Sequence, residues 1–310
     1  MNLISRSASE ADIAIIKEII DSDQLSLDPK EKTIGESEIR ELLRGFFEPA
    51  VTRLTRSESS EVWQSFLALN PDVNRSRFYL DIYTKPGAST RPETLLLAIE
   101  LARAANSDFR LWLGVNALDD AFKTLLESRG FSILRKYHTL EMDLVAVENM
   151  TLGANVELVQ IDPEKESDLR ICWELHQDSF SDHFGFLPRE FNQWAELYRR
   201  DLPEFKNQAW ILKSDGIPAG FIDCDESLAH LNSAYVHTLG VSKAFRGKGF
   251  GEALLRHAIQ TYFNLGRSKL SLNVDTGNES GALRLYEKVG MKPISGWNQY
   301  ENLNWNSLKS

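Results

Sequence analysis

The chain has 310 residues, enough for two domains of ordinary size. With 35 basic against 45 acidic residues its formal net charge is −10, which argues against nucleic acid as the main partner. Hydrophobic residues at 42% and charged residues at 26% are ordinary for a globular protein, and no apolar run approaches the ~18 residues needed to cross a bilayer.

The expectation is therefore a cytoplasmic chain without a membrane partner, monomeric or homodimeric. Cys172 and Cys224 are the only cysteines and lack C-x-x-C spacing, so neither a disulfide framework nor a zinc site is indicated. Both read as small buried hydrophobes, and no metal is expected.

Leu3 and Ile4 read as a short strand. Ile13, Ile16, Ile19 and Ile20 recur at helical spacing within residues 10–21, with Ser9 or Asp12 able to cap. A second helical pattern covers residues 36–47. Strands are expected at 50–56, 62–69 and 78–83, with Asn70-Pro71-Asp72 as the turn between the last two. Pro92 opens a helix to residue 105, at a position where its missing N–H costs nothing. Residues 109–115 read as a strand, 118–129 as a helix ended by Gly130, and 131–144 as one or two more strands.

Residues 147–154, with Asn149 and Gly153 and no apolar periodicity, read as a linker between a first domain, 1–147, and a second, 155–310. In the second, 157–161 is a strand, and 163–180 and 188–200 are helices. Residues 209–213 and 217–225 form a hairpin across Ser214-Asp215-Gly216. A strand at 235–241, a helix at 252–263, a strand at 269–275 and a helix at 278–289 closed by Gly290 follow, then two C-terminal strands. The halves share this order of elements. Leu125–Phe131 lines up with Leu285–Met291, and Asp12 and Asp168 lie near the start of the two first helices, as in a duplication.

Between the strand 235–241 and the helix 252–263 lies Arg246-Gly247-Lys248-Gly249-Phe250-Gly251. Three glycines in six residues let the backbone turn sharply and approach a bound group closely. Where such a turn feeds a helix, its N–H groups and the positive helix end converge on one anion site, which suits a pyrophosphate. Arg246 and Lys248 add positive charge at its edge. Glycines also make plain turns, and the spacing is neither G-x-G-x-x-G nor a loop closed by G-K-[S/T]. Downstream, Asn278 precedes Leu285-Tyr286-Glu287-Lys288-Val289-Gly290-Met291.

Together, in this order and joined by one helix and one strand, these stretches resemble the two motifs of the GNAT superfamily of N-acetyltransferases. The acetyl-CoA loop pattern, Arg/Gln-x-x-Gly-x-Gly/Ala, falls on Arg246, Gly249 and Gly251. The Asn…Leu-Tyr-Glu-Lys-x-Gly-Phe segment carries Met291 in the Phe place and an Asn-to-Tyr interval one residue longer. The resemblance implies an α/β chain of two tandem GNAT folds, each a mixed, mostly antiparallel sheet flanked by helices. The tandem plan is similar to mycothiol synthase-like acetyltransferases, as is Asp182-His183-Phe184-Gly185, which implies substrate contacts from Asp182, His183 and Phe184. From the residues alone, Asp182 also reads as a helix-end cap and the aromatics as a lid on the core.

The implied activity is acetyl-CoA-dependent transfer to a primary amine, of a small molecule, by direct attack in the second domain. The alternatives are a protein or peptide amine, and a non-catalytic acyl-CoA-binding module. Cofactor contacts are implied for Leu239, Val241, Arg246, Gly247, Lys248, Gly249, Phe250, Gly251 and Asn278, with a backbone N–H near Leu239 polarising the thioester carbonyl. Tyr286 is the implied general acid. It also lies on an apolar stripe with Ala282 and Val289, where a tyrosine can be core, and Asn278 also reads as a helix cap. The general base stays open among His237, beside the cofactor strand, and Asp223, Asp225, Glu226 and Tyr235.

The first half departs at the same places. Gly87-Ala88-Ser89-Thr90-Arg91-Pro92 keeps one glycine, out of position, and puts proline where an N–H donor is wanted. Leu126 stands in for Tyr286. The first half is expected to have lost acetyl-CoA binding, and to serve as a packing partner or a wall of the substrate site.

Overall fold

The computed structural model describes residues 2–145, 153, 155–205, 208–277 and 281–308. It forms two compact units, Met1–Tyr137 with Ser295–Ser310, and His138–Ile294. In chain order the elements are β1 (Leu3–Ser7), α1 (Ile13–Leu27), α2 (Glu36–Arg44), β2 (Val51–Ser57), β3 (Ser65–Asp72), β4 (Arg77–Thr84), α3 (Arg91–Asn106), β5 (Arg110–Asn116), α4 (Asp120–Ser128) and β6 (Ser132–Asp143). There follow β7 (Val156–Gln160), α5 (Glu166–Phe180), α6 (Phe191–Phe205), β8 (Gln208–Ser214), β9 (Ile217–Asp225), β10 (Ser233–Val241), α7 (Phe250–Asn264), β11 (Lys269–Asp275), α8 (Ala282–Lys288) and β12 (Lys292–Glu301). Among the described residues no helix is long and apolar enough to cross a membrane.

Both units follow one plan, the mixed and mostly antiparallel sheet expected. In the first, β1, β2, β3 and β4 pair antiparallel in that order, β5 runs parallel to β4, and β12 runs antiparallel to β5. In the second, β7, β8, β9 and β10 pair antiparallel and β11 runs parallel to β10, with β6 next in the order.

Side chains alternate between the two faces of each sheet. In β9, Ile222 and Cys224 join the cluster under α7 with Leu254, Leu255 and Tyr262, whereas Phe221 joins Leu169, Cys172, Phe191 and Trp194 of α5 and α6. The first unit repeats this: Leu80, Ile99, Phe122 and Leu126 pack on one face and Ile16, Ile19, Ile39 and Phe66 on the other. Each such fully buried aliphatic or aromatic side chain contributes ~1.5–3 kcal/mol.

Three expectations are corrected. The C-terminal segment, read as two strands of the second half, is one strand, β12, and pairs with β5 from Trp297↔Asn116 to Glu301↔Trp112. Tyr300 and Trp305 complete the first unit's core, and Glu301 accepts from the Trp112 indole N–H (2.8 Å) and from Arg110. Conversely, β6 from His138 onward belongs to the second unit, where Glu141 accepts from Lys269 (2.7 Å) and Ser271 (3.1 Å). The chain thus passes between units inside β6, ahead of the stretch read as a linker, of which only Gly153 lies among the described residues.

Third, Asn70, Pro71 and Asp72 are rungs of β3 rather than a turn. The turn falls at residues 73–76, where the Asp72 side chain accepts the Arg75 backbone N–H (3.2 Å) and Ser76 takes a φ of 49°. An aspartate that caps the next residues can end a strand as well as sit in a turn.

Gly240 lets β10 pass close under α5. A Cβ there would lie 2.4 Å from Ser179 Oγ and 2.7 Å from Phe221 Cε1. Gly240→Ala is expected to destabilise the second unit by about 1–3 kcal/mol, as overpacking does. Urea denaturation checks this: the midpoint should fall at unchanged slope, and an unmoved midpoint would mean that α5 yields freely.

Candidate active site

The site is built where two parallel strands part. β10 lies beside β11 only from Ser233↔Lys269 to Tyr235↔Ser271, yet stays paired to β9 as far as Val241↔Gly220. Past Tyr235, the β10 edge carrying Leu239 and Val241 has no strand beside it among the described residues. A register shift between Val236 and Thr238 puts His237 on a bulge.

Beyond β10 the chain turns through Lys243–Phe245 into the glycine-rich stretch. Gly247 (φ 78°) and Gly249 (φ 81°) both use the left-handed region, where a side chain would be strained. The first bond of α7 runs from the Ala253 N–H to the Gly249 carbonyl (3.1 Å), and the backbone N–H groups of residues 247–252 meet no acceptor among the described residues. Such orphan donors at the positive end of a helix form an anion site. Arg246 donates to the Ser179 carbonyl (2.8 Å), which ties the end of α5 to this turn, and Lys248 lies 4.7 Å over the Phe245 ring.

Gly251 has a packing role. A Cβ there would lie 3.1 Å from Leu285 Cδ2 and 3.7 Å from Val241 Cγ2, so glycine lets α8 rest on the first turn of α7. Lys288 reinforces the contact by an ion pair to Glu252 (2.6 Å). Tyr286 is thereby carried into the cluster beside α7. Burial pushes its pKa up to about 12, so the phenol keeps its proton at neutral pH, and its hydroxyl makes no hydrogen bond among the described residues. Asn278 lies outside the described residues.

Asp223 and Asp225 alternate with Ile222 and Cys224 and so share the β9 face that carries Phe221. The exposed His237 imidazole has Nδ1 3.8 Å from Asp225 Oδ2 and sits edge-on to Tyr235. Asp225 is buried, which raises its carboxyl above the usual range, against the pull of His237 and of the Ser227 N–H (2.9 Å) and hydroxyl (2.6 Å). Glu226 is paired with Arg267 at 2.9 Å. Asp223 is buried, and its charge adds to the burial that raises the Tyr198 pKa. No motif marks Tyr198 in the sequence, although Phe191, Trp194, Ala195 and Tyr198 form a readable i, i+3, i+4, i+7 stripe on α6.

The Asp182 segment lands against the anion turn rather than against His237. Asp182 pairs with Lys243 (2.8 Å) and Arg246 (3.6 Å), and the Lys243 hydrogen bond holds its carboxyl below the usual range. Asp178 accepts the Lys243 backbone N–H (2.9 Å). His183 packs edge-on to Phe180, and burial with the nearby Arg246 charge lowers its pKa, which keeps the ring neutral. Phe184 is exposed. Lys243 and Asp178, which hold this arrangement together, carry no local sequence signal.

Residues 169–291 match the family described as acetyltransferase (GNAT) family. The chain is 30% identical over 144 residues to the N-alpha-acetyltransferase RimI of Mycobacterium tuberculosis, a match covering 46% of this chain and 84% of that protein. The chain belongs to the GNAT acetyltransferase family. An uncharacterized N-acetyltransferase of Methanocaldococcus jannaschii is 29% identical over 143 residues, 43% of this chain and 61% of that protein, so the match spans about three-fifths of that relative.

Among solved GNAT structures, a GCN5-related N-acetyltransferase from Sphaerobacter thermophilus shares the fold with a TM-score of 0.78 at 18% identity, over 97% of this chain and 95% of that one. A tandem GNAT protein from the clavulanic acid biosynthesis pathway does so at 0.73 and 15%, over 97% and 98%. GNAT proteins generally use acetyl-CoA.

Proposed function

We propose that the second unit transfers the acetyl group of acetyl-CoA directly to a primary amine of a small molecule, and that the first unit binds no cofactor. The observation that carries this is the row of backbone N–H groups at 247–252, at the end of an unpaired β10 edge. These donors suit pyrophosphate oxygens, and the left-handed glycines keep side chains out of their way.

Acetyl-CoA held there supplies an activated acetyl thioester. The N–H groups of 247–252 and the Lys248 charge hold the phosphates. The backbone of Leu239 and Val241 holds the pantetheine arm, and the Leu239 N–H stabilises charge on the thioester oxygen. Tyr286 delivers its proton to the departing sulfur. Asp225, with His237 beside it, takes the proton of the amine directly or through a water.

In the first unit the corresponding helix start is closed from within. Arg91 opens α3 and is held by the buried carboxylates of Asp23 and Asp119, and Pro92 follows without an N–H. Leu126, in the place of Tyr286, is fully buried in the core. A second reading, transfer to the α-amine of a peptide, is supported by the similarity to RimI, named as an N-alpha-acetyltransferase. Thiol release from acetyl-CoA, followed with a panel of small primary amines and of peptides with free N-termini, tests both. Higher kcat/KM on the small amines is expected. The reverse order supports the peptide reading, and no amine-dependent release with either set contradicts transfer altogether.

A further inference from the structure

We propose that the first unit binds a small protonated amine in the cleft where β4 and β5 part, with the Asp81 carboxylate as its anchor. These two parallel strands are paired from Arg77↔Arg110 to Leu80↔Leu113 and then separate, as β10 and β11 do in the second unit. Asp81 is the first residue past the last rung. Its neighbours Leu80 and Ile82 point into the core under α3, so Asp81 projects to the opposite face.

Gly114 of β5 makes room for it: a Cβ there would lie 3.2 Å from Asp81 Oδ1 and 3.9 Å from the Trp297 ring. Asp81 makes no hydrogen bond or ion pair among the described residues. Its side chain is half-buried. Burial pushes its carboxyl up to about 7.

Charge and shape favour a cation. An anion without a partner in such a place is costly until a positive group meets it. Tyr83 stands next on the same face; burial raises its pKa, and Asp81, Asp23 of α1 and Glu38 of α2 add to the rise. The Arg91 guanidinium that faces Asp23 is held by Asp23 and Asp119. Trp297, one face of which is stacked on Tyr137 at 4.0 Å, brings its ring within 3.9 Å of the same Gly114 position, and an aromatic ring nearby attracts an ammonium group. The second unit's turn offers N–H donors to an anion; this opening offers an acceptor and π surface to a donor.

The test titrates n-butylammonium chloride into the full chain at pH 8, by calorimetry and tryptophan fluorescence, with n-butanol as neutral control. Saturable binding is expected for the ammonium alone, weakened at least about tenfold in Asp81→Asn. It should also weaken in Gly114→Val, where the side chain fills the space, and strengthen from pH 6 to pH 8 as Asp81 loses its proton. Asp81→Asn should keep its acetyl-CoA affinity, which separates this site from the second unit's. Binding unchanged in Asp81→Asn but lost in His237→Ala would place the amine in the second unit and overturn the proposal. So would the absence of saturable binding.

Discussion

Tyr286→Phe is expected to lower kcat by about 10²–10⁴-fold, with little change in the KM for acetyl-CoA, because in the proposed mechanism it removes the proton donor for the leaving sulfur. The substitution deletes one oxygen from a side chain whose hydroxyl makes no hydrogen bond among the described residues, so the packing of α8 on α7 is kept and stability should hold. Burial, which pushes the phenol up to about 12, keeps it protonated across the neutral range, so activity should show no loss from this group near pH 7–9. The loss should shrink for an acetyl thioester whose thiol leaves readily as thiolate, since that leaving group needs no proton. Steady-state thiol release with the two thioesters decides. A loss under about threefold with acetyl-CoA would make Tyr286 a core residue and leave the departing sulfur without an assigned donor.

Arg91→Ala is expected to destabilise the first unit by about 3–5 kcal/mol near pH 8 while leaving the acetyl-CoA affinity unchanged. The guanidinium is mostly buried and answers two carboxylates, Asp23 on α1 and Asp119, which also caps α4 through the Phe122 N–H (2.9 Å). Removing it leaves both acids buried without their cation. Burial already raises Asp23 to about 6, against the pull of Arg91. A carboxyl raised above its unfolded value of about 3.9 contributes stability that is full below that value and lost as pH rises through the folded pKa. Without Arg91 the Asp23 pKa climbs further, so the penalty should be larger at pH 8 than at pH 5.5. Urea denaturation at both values reads it out. A penalty independent of pH would dismiss the buried-charge argument, and weaker acetyl-CoA binding would mean that the first unit takes part in holding the cofactor.

What the sequence disclosed was local. Gly247, Gly249 and Gly251 announce the anion turn because left-handed φ values and a side-chain-free packing contact are demands on single residues. The hairpin at Asp215-Gly216, both with positive φ, is legible for the same reason. The duplicated order of elements gave the plan of both sheets. Pairing partners were not legible: alternation marks β6 and β12 as strands, but the rungs of β12 lie on β5, some 180 residues away. The Asp182–Lys243 and Tyr198–Asp223 contacts are equally remote in sequence. Asn70-Pro71-Asp72 misled because strand-ending and turn-forming aspartates look alike until their partners are seen. Asp81, an ordinary aspartate in an alternating strand, becomes notable only once the register shows that β4 and β5 part beside it.

In the proposed function one unit of the two holds acetyl-CoA, on the turn from Arg246 to Gly251. Calorimetric titration of acetyl-CoA into the wild-type chain and into Gly249→Glu tests it most directly. At a φ of 81° a glutamate is strained by ~1–2 kcal/mol, and its carboxylate meets the pyrophosphate. One site per chain is expected, weakened at least about 100-fold in the variant. Two sites, or one site that survives Gly249→Glu, would contradict it.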